Sequence, residues 1–310
     1  MTNIHLNLTT VRTISMTVCM VSNAEELAVQ FQTLSSYFKT LISSSNQAPE
    51  KQAAPEPFLL LDAEMRQMRD WKAQSTPPFS SLDNTVSGSI WREIPGGHKW
   101  LDYFDVYDSE FSRFRNQRPR VLEIGVYKGA SLKLWKEFFG DGATIVGVDI
   151  DPNCRTCHSP ENGIFVEIGS QDEGAFLQTV IADYGPFDLI IDDGSHIASH
   201  QIASFNALFP TGLKDGGVYF VEDLECMYWR NTNEYRDQTT TSVGFFKMLI
   251  DVQNSIFSDY EYNDFAIHAG TVRDNYLAIN VAQSIAAIKF YRGIALVEKK
   301  KQRPPLTLHL

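Results

Sequence analysis

Val121-Leu122-Glu123-Ile124-Gly125-Val126-Tyr127-Lys128-Gly129 carries a short apolar run into a glycine-bounded turn, and an amphipathic segment at about 130–139 follows it. A strand delivered through a tight turn into a helix is the opening unit of a parallel α/β sheet. The same alternation continues downstream, with strand patterns at 120–124, 144–150, 164–168, 187–191 and 217–221 and further helical segments at 172–183 and 198–209. Near the end, 285–291 and 294–298 flank Arg292-Gly293, the signature of a hairpin. The expected fold is therefore α/β: a Rossmann-like, doubly wound, mostly parallel sheet with an antiparallel C-terminal edge strand. Ligands of such sheets bind beyond the carboxyl ends of the strands.

At the first of those ends, Gly125 permits a sharp turn and Gly129 lets backbone approach a ligand closely. The middle glycine of G-x-G-x-x-G is missing, so the turn fails as a dinucleotide fingerprint. Glu123 would repel a pyrophosphate but suits a ligand bearing an ammonium group. The second strand ends Val146-Gly147-Val148-Asp149, which places an acid where ribose hydroxyls are held, about 20 residues after the glycine turn. An amino-acid ammonium plus a ribose, with no provision for phosphate, describes S-adenosylmethionine better than NAD. A glycine turn or a strand-end aspartate alone occurs in many α/β proteins, so the weight rests on the combination.

The fourth and fifth strands end in Ile191-Asp192-Asp193-Gly194-Ser195-His196 and Val221-Glu222-Asp223-Leu224. Four carboxylates at neighbouring strand tips repel unless protons or a cation intervene. Oxygen ligation points to Mg²⁺, with Mn²⁺ or Ca²⁺ as alternatives. His196 follows closely enough to take a proton from a hydroxyl held on that metal. The competing explanation is that these acids cap helices and form surface ion pairs.

Several other motifs carry less. Cys154-Arg155-Thr156-Cys157-His158 matches a haem-attachment pattern, yet it directly follows Asp149 in a chain without an export signal. A zinc site lacks a second pair at suitable spacing. His196 and His200 stand at i, i+4 without the glutamate of a metalloprotease helix, and His200 is assigned to a helix start or a substrate wall. Trp100, Tyr103, Phe104, Tyr107, Phe111 and Phe114 form a stripe at helical spacing, expected to be a helix covering the sheet and not a binding surface. Lys299-Lys300-Lys301 is expected to be a solvated tail.

The whole chain of 310 residues is acidic, with 27 Lys+Arg against 38 Asp+Glu. That balance argues against nucleic acid or an anionic membrane as the partner. Four cysteines (Cys19, Cys154, Cys157 and Cys226) are too few for a secreted disulfide framework, and no apolar run is long enough to span a bilayer. The expectation is a cytoplasmic protein. Residues 1–95 are expected to form a mainly helical accessory or oligomerisation segment, making the chain a homo-oligomer. Within it, Ser22-Asn23-Ala24-Glu25 opens one amphipathic helix, a Pro-rich linker lies near 43–57, a second helix follows from Phe58 to about Ala73, and 75–97 is a loop. The catalytic domain is assigned to 96–303.

Gly97-His98-Lys99-Trp100, VLEIGVYKGASLKLW, IVGVDIDP, IDDGSH and VEDL together resemble the class I S-adenosylmethionine-dependent sugar O-methyltransferases of macrolide and related natural-product pathways, over roughly 97–300. The resemblance implies Mg²⁺-dependent methyl transfer to a hydroxyl of a sugar or polyketide glycoside. It implies Asp193, Glu222 and Asp223 as metal ligands, with His196 as general base beside Asp193. It further implies Glu123, Gly125, Tyr127, Gly129, Ser131 and Asp149 around the methyl donor, with Gln171 and Asp192 nearby. Ala130 departs from the glycine found in many relatives, and residues before 95 show no match. The alternatives are methylation of a phenol or catechol, and a catalytically silent scaffold that binds S-adenosylmethionine.

Overall fold

The structure, a computed structural model, describes residues 79–229, 235, 241–254 and 283–303. The helices expected at 22–41 and 58–73, and the linker at 43–57, lie outside the described residues.

Seven strands form one sheet in the order β3-β2-β1-β4-β5-β7-β6. They are β1 (Arg120–Ile124), β2 (Thr144–Asp149), β3 (Ile164–Ile168), β4 (Phe187–Asp192), β5 (Leu213–Val221), β6 (Ile285–Tyr291) and β7 (Ile294–Lys299). The first five are parallel, and the hairpin returns β7 antiparallel against β5, leaving β6 at the edge. The expected fold is observed, with strand ends shifted by a residue at most except at β5. That strand starts earlier, at Leu213, past an irregularity in its register with β4.

The period-2 alternation of strands sends successive side chains to opposite faces, and both faces here are apolar. Val121, Ile145, Leu189, Val218 and Phe220 face one layer, built by α2 (Leu101–Phe111) and α3 (Ala130–Phe139). Leu122, Val146, Ile190 and Tyr219 face the other, built by α4 (Gly174–Tyr184), α5 (Ala198–Leu208) and α6 (Ser242–Asn254). The aromatic stripe is buried in the first layer: Tyr107 and Phe111 are wholly enclosed, edge-on to Trp135 of α3.

Two expectations are corrected. The stretch 75–97 is not a plain loop, because it contains a 3-10 helix (Phe79–Asn84) and α1 (Val86–Arg92). So short a helix cannot stand alone. Its exposed N–H groups are satisfied by Thr85 Oγ1, which accepts from Gly88, and by the Asp108 carboxylate on α2, which accepts from Val86 and Ser87. Nor is Lys299 a solvated residue. It closes β7, and its ammonium donates to the carbonyls of Phe209, Pro210 and Leu213 at 2.9, 2.6 and 2.7 Å. Lys299 thereby ties the carbonyls that follow α5 to the first residue of β5.

Candidate active site

A cleft of about 490 Å³ opens along the carboxyl ends of β1, β2 and β4, bordered by the start of α3 and by residues 91 and 97–99. That size is ordinary for a small-molecule site. At one end is the glycine turn. Gly125, at φ +94°, leaves so little room that an added Cβ would lie 2.0 Å from the carbonyl oxygen of Asp193. Gly129, in the left-handed region, faces Cys157, whose Sγ would lie 2.7 Å from a Cβ there. The Cys-x-x-Cys-His stretch is thus packing. Its 3-10 helix (Pro152–Cys157) supports the turn, and Cys154 donates its thiol to the carbonyl of Tyr127.

Asp149 stands at the end of β2 and fastens the turn. Its Oδ2 accepts from the N–H of Val126 (2.8 Å) and Tyr127 (3.0 Å), and its Oδ1 accepts from Asp151 (2.9 Å). Burial raises the cost of its charge, but these backbone donors outweigh that and hold its carboxyl below the usual range. Tyr127 and Ile150 project from the rim, 69% and 71% exposed.

At the other end, Asp193, His196 and Asp223 each present a ligand atom within 4.8 Å of the other two. His196 Nε2 lies 3.6 Å from Asp223 Oδ2, while its Nδ1 is buried with no hydrogen-bond partner among the described residues. Tyr127, His196 and Asp223 are three of the five described non-glycine residues with positive φ, and all three line the cleft. Such backbone costs about 1–3 kcal/mol per residue and persists where the surroundings hold it for a purpose. Two carboxylates and an imidazole, open to the cleft, fit a divalent cation.

The structure separates the expected acids by depth. Asp193 and Asp223 reach the cleft, whereas their neighbours Asp192 and Glu222 are fully buried beneath it. Asp192 accepts from Gln171 Nε2, and burial pushes its carboxyl up to about 6. Gln171 in turn takes the N–H of Ser195 on its Oε1, so it ties α5's approach to β4. Glu222 accepts from Tyr107 Oη at 2.7 Å and from Lys99 Nζ at 2.5 Å, and burial pushes its carboxyl upward. Glu123 is likewise beneath the cleft and not in it, accepting from Ser131 Oγ (2.8 Å) and Trp135 Nε1 (2.9 Å). Gly125, Tyr127, Ser131, Asp149 and Gln171 do line the cleft, and so does His200, paired with Ser195 Oγ at 3.0 Å.

Three polar contributors were not assigned from the sequence: Lys99, Tyr103 and Tyr107. Tyr103 Oη donates to Asp223 Oδ1 at 2.8 Å, so the aromatic stripe is core on one side and acid-binding at its phenols. The signal available was a phenol at helical spacing on a face expected to be buried, since a buried tyrosine hydroxyl needs an acceptor.

No protein-family model matches the chain. The 8-demethyl-8-alpha-L-rhamnosyl tetracenomycin-C 2'-O-methyltransferase of Streptomyces olivaceus is 32% identical over 243 residues, covering 72% of this chain and 60% of that protein. Mycinamicin VI 2''-O-methyltransferase of Micromonospora griseorubida is 44% identical over 205 residues, 62% of this chain and 47% of its own length. Among solved structures, the MycE methyltransferase of the mycinamycin pathway, in complex with Mg, SAH and mycinamycin VI, superposes with a TM-score of 0.53 at 33% identity, over 73% of this chain and 55% of that one. The chain spans about half the length of the curated relatives it matches. Over that shared stretch the chain is similar in sequence and in fold to sugar O-methyltransferases of antibiotic pathways.

Proposed function

We propose that this protein transfers a methyl group from S-adenosylmethionine to a hydroxyl of a sugar on a glycosylated natural product, with Mg²⁺ at the acid cluster. The observation that carries the proposal is continuity: one cleft joins the Asp149-anchored glycine turn to Asp193, His196 and Asp223. Donor and acceptor sites so joined allow the near-attack alignment that methyl transfer needs. The relatives named as mycinamicin and tetracenomycin sugar O-methyltransferases support the acceptor class.

The donor supplies an electrophilic methyl group on a sulfonium, and Mg²⁺, when bound, supplies charge that makes a hydroxyl more acidic. Asp193 and Asp223 would hold the metal. Its preference for oxygen leaves the His196 imidazole to accept the hydroxyl proton as the new O–C bond forms and the S–C bond breaks. Asp223 Oδ2, 3.6 Å from His196 Nε2, stabilises the resulting imidazolium. Tyr103 fixes the other oxygen of Asp223 and so its direction.

Incubating the full chain with labelled donor and a panel of unmethylated macrolide and polyketide glycosides tests the proposal. Methylated glycoside, formed with Mg²⁺ and lost with EDTA, is the expected result. Transfer to simple catechols in preference to glycosides would overturn the acceptor class, and no turnover with any acceptor despite donor binding would favour a scaffold.

A further inference from the structure

We propose that Lys99, anchored on the buried Glu222, is a built-in counter-cation that competes with the divalent metal for Asp193, and so sets how tightly the acid cluster holds that metal. The inference rests on the metal-dependent transfer proposed for the cleft. Lys99 Nζ lies 2.5 Å from Asp193 Oδ2 and 2.5 Å from Glu222 Oε2, with its side chain 4% exposed. It enters just ahead of α2, the helix whose Tyr103 and Tyr107 donate to Asp223 and Glu222. The stretch 99–107 thus delivers a cation and two phenols to all three acids.

The electrostatic need is plain. Asp193, Glu222 and Asp223 as bare carboxylates would repel one another at the edge of a buried layer. One ammonium relieves that repulsion, and a divalent ion relieves it by the same means. Both cations draw on the Asp193 carboxylate, and so each sits close enough to repel the other. Lys99 therefore keeps the cluster together without metal and weakens metal binding by its presence. The grip on Glu222 is the firmer of the two, since that carboxylate is fully buried with Tyr107 on its second oxygen. Asp193 remains partly open to the cleft.

The test is calorimetric titration of Mg²⁺ into the full chain, as wild type, Lys99→Gln and Lys99→Arg, with thermal unfolding of each in EDTA and in excess Mg²⁺. Lys99→Gln removes the charge and leaves an amide donor on a side chain one bond shorter. It should bind Mg²⁺ roughly tenfold or more tightly, the scale of a unit charge a few ångströms away. It should also melt earlier than wild type in EDTA and recover in Mg²⁺, even if it folds only with the metal. Lys99→Arg, which keeps the charge, should stay near wild-type affinity. Equal or weaker Mg²⁺ binding by Lys99→Gln, with wild type binding normally, would overturn the role of Lys99 alone. Absence of Mg²⁺ binding by every variant would overturn the metal reading with it.

Discussion

The backbone of Gly125 packs directly against that of Asp193, so the donor turn and the acid cluster share one contact. A Cβ at 125 would sit 2.0 Å from the Asp193 carbonyl oxygen, and the φ of +94° is itself hostile to a side chain. Gly125→Ala should therefore damage both ends of the cleft at once. The strained backbone alone costs about 1–3 kcal/mol, and separating β1 from β4 adds to it. Thermal unfolding should show a drop of several degrees, and SAH binding by calorimetry should weaken together with Mg²⁺ binding. Loss of only one of the two would mean that the contact does not couple them.

Asp149 has less capacity for the donor than its position suggests. Three backbone N–H groups already occupy its carboxylate, leaving about one of its roughly four lone-pair directions for a ribose hydroxyl. Asp149→Ala should cost donor affinity about 1.5–3 kcal/mol through that charge-assisted bond, and should also loosen the turn at Val126 and Tyr127. Asp149→Asn separates the two effects, because its single carbonyl oxygen still accepts from the turn. Unchanged SAH affinity in both variants would remove Asp149 from the donor site.

What the sequence disclosed, and what it hid, follows from range. The strands and the 130–139 helix were legible because apolar alternation and glycine punctuation are local. Helix α1 was not, since its N-terminus is held by Asp108, 22 residues from Val86. The acids were legible as a cluster but not as individuals. Asp193, Glu222 and Asp223 lie past the ends of β4 and β5, and Asp223 turns into the left-handed region at φ +54°, so no local alternation ranks them by depth. Lys99 had no such signal, because only the tertiary fold brings it to residues 193 and 222.

Glu123 makes a prediction about pH. Burial pushes its carboxyl up to about 7 against the pull of Lys99, whereas an unfolded glutamate titrates near ~4.3. Between those values the folded protein binds the extra proton. Its contribution to stability is therefore complete below the unfolded value and is lost as pH rises through about 7. Glu123→Gln should abolish that part of the pH dependence, about 1–3 kcal/mol across the window, while preserving bonds to Ser131 and Trp135. Unfolding midpoints of the two proteins measured from pH 5 to about 8 decide it. Parallel profiles would show that Glu123 keeps its charge when folded.

The proposed division of labour between metal and base is open to separate attack. His196 sits at φ +57°, a conformation that asparagine tolerates better than most residues, so His196→Asn removes the imidazole while sparing the loop. If His196 takes the hydroxyl proton, this variant should bind SAH and Mg²⁺ much as wild type does and lose about 10²–10⁴-fold in single-turnover rate. Chelation should act differently, abolishing transfer while leaving SAH affinity largely intact, because Asp149 is held by the N–H groups of Val126, Tyr127 and Asp151 and not by the acids that would bind the metal. The contrast matters because His196 is close enough to both aspartates to be a ligand instead. A ligand role predicts that His196→Asn weakens Mg²⁺ binding in step with the rate and that raising Mg²⁺ restores activity. A base role predicts that no concentration of metal does so. Wild-type single-turnover rates in His196→Asn would exclude the base, and full activity in excess EDTA, with metal content confirmed negligible, would exclude the metal.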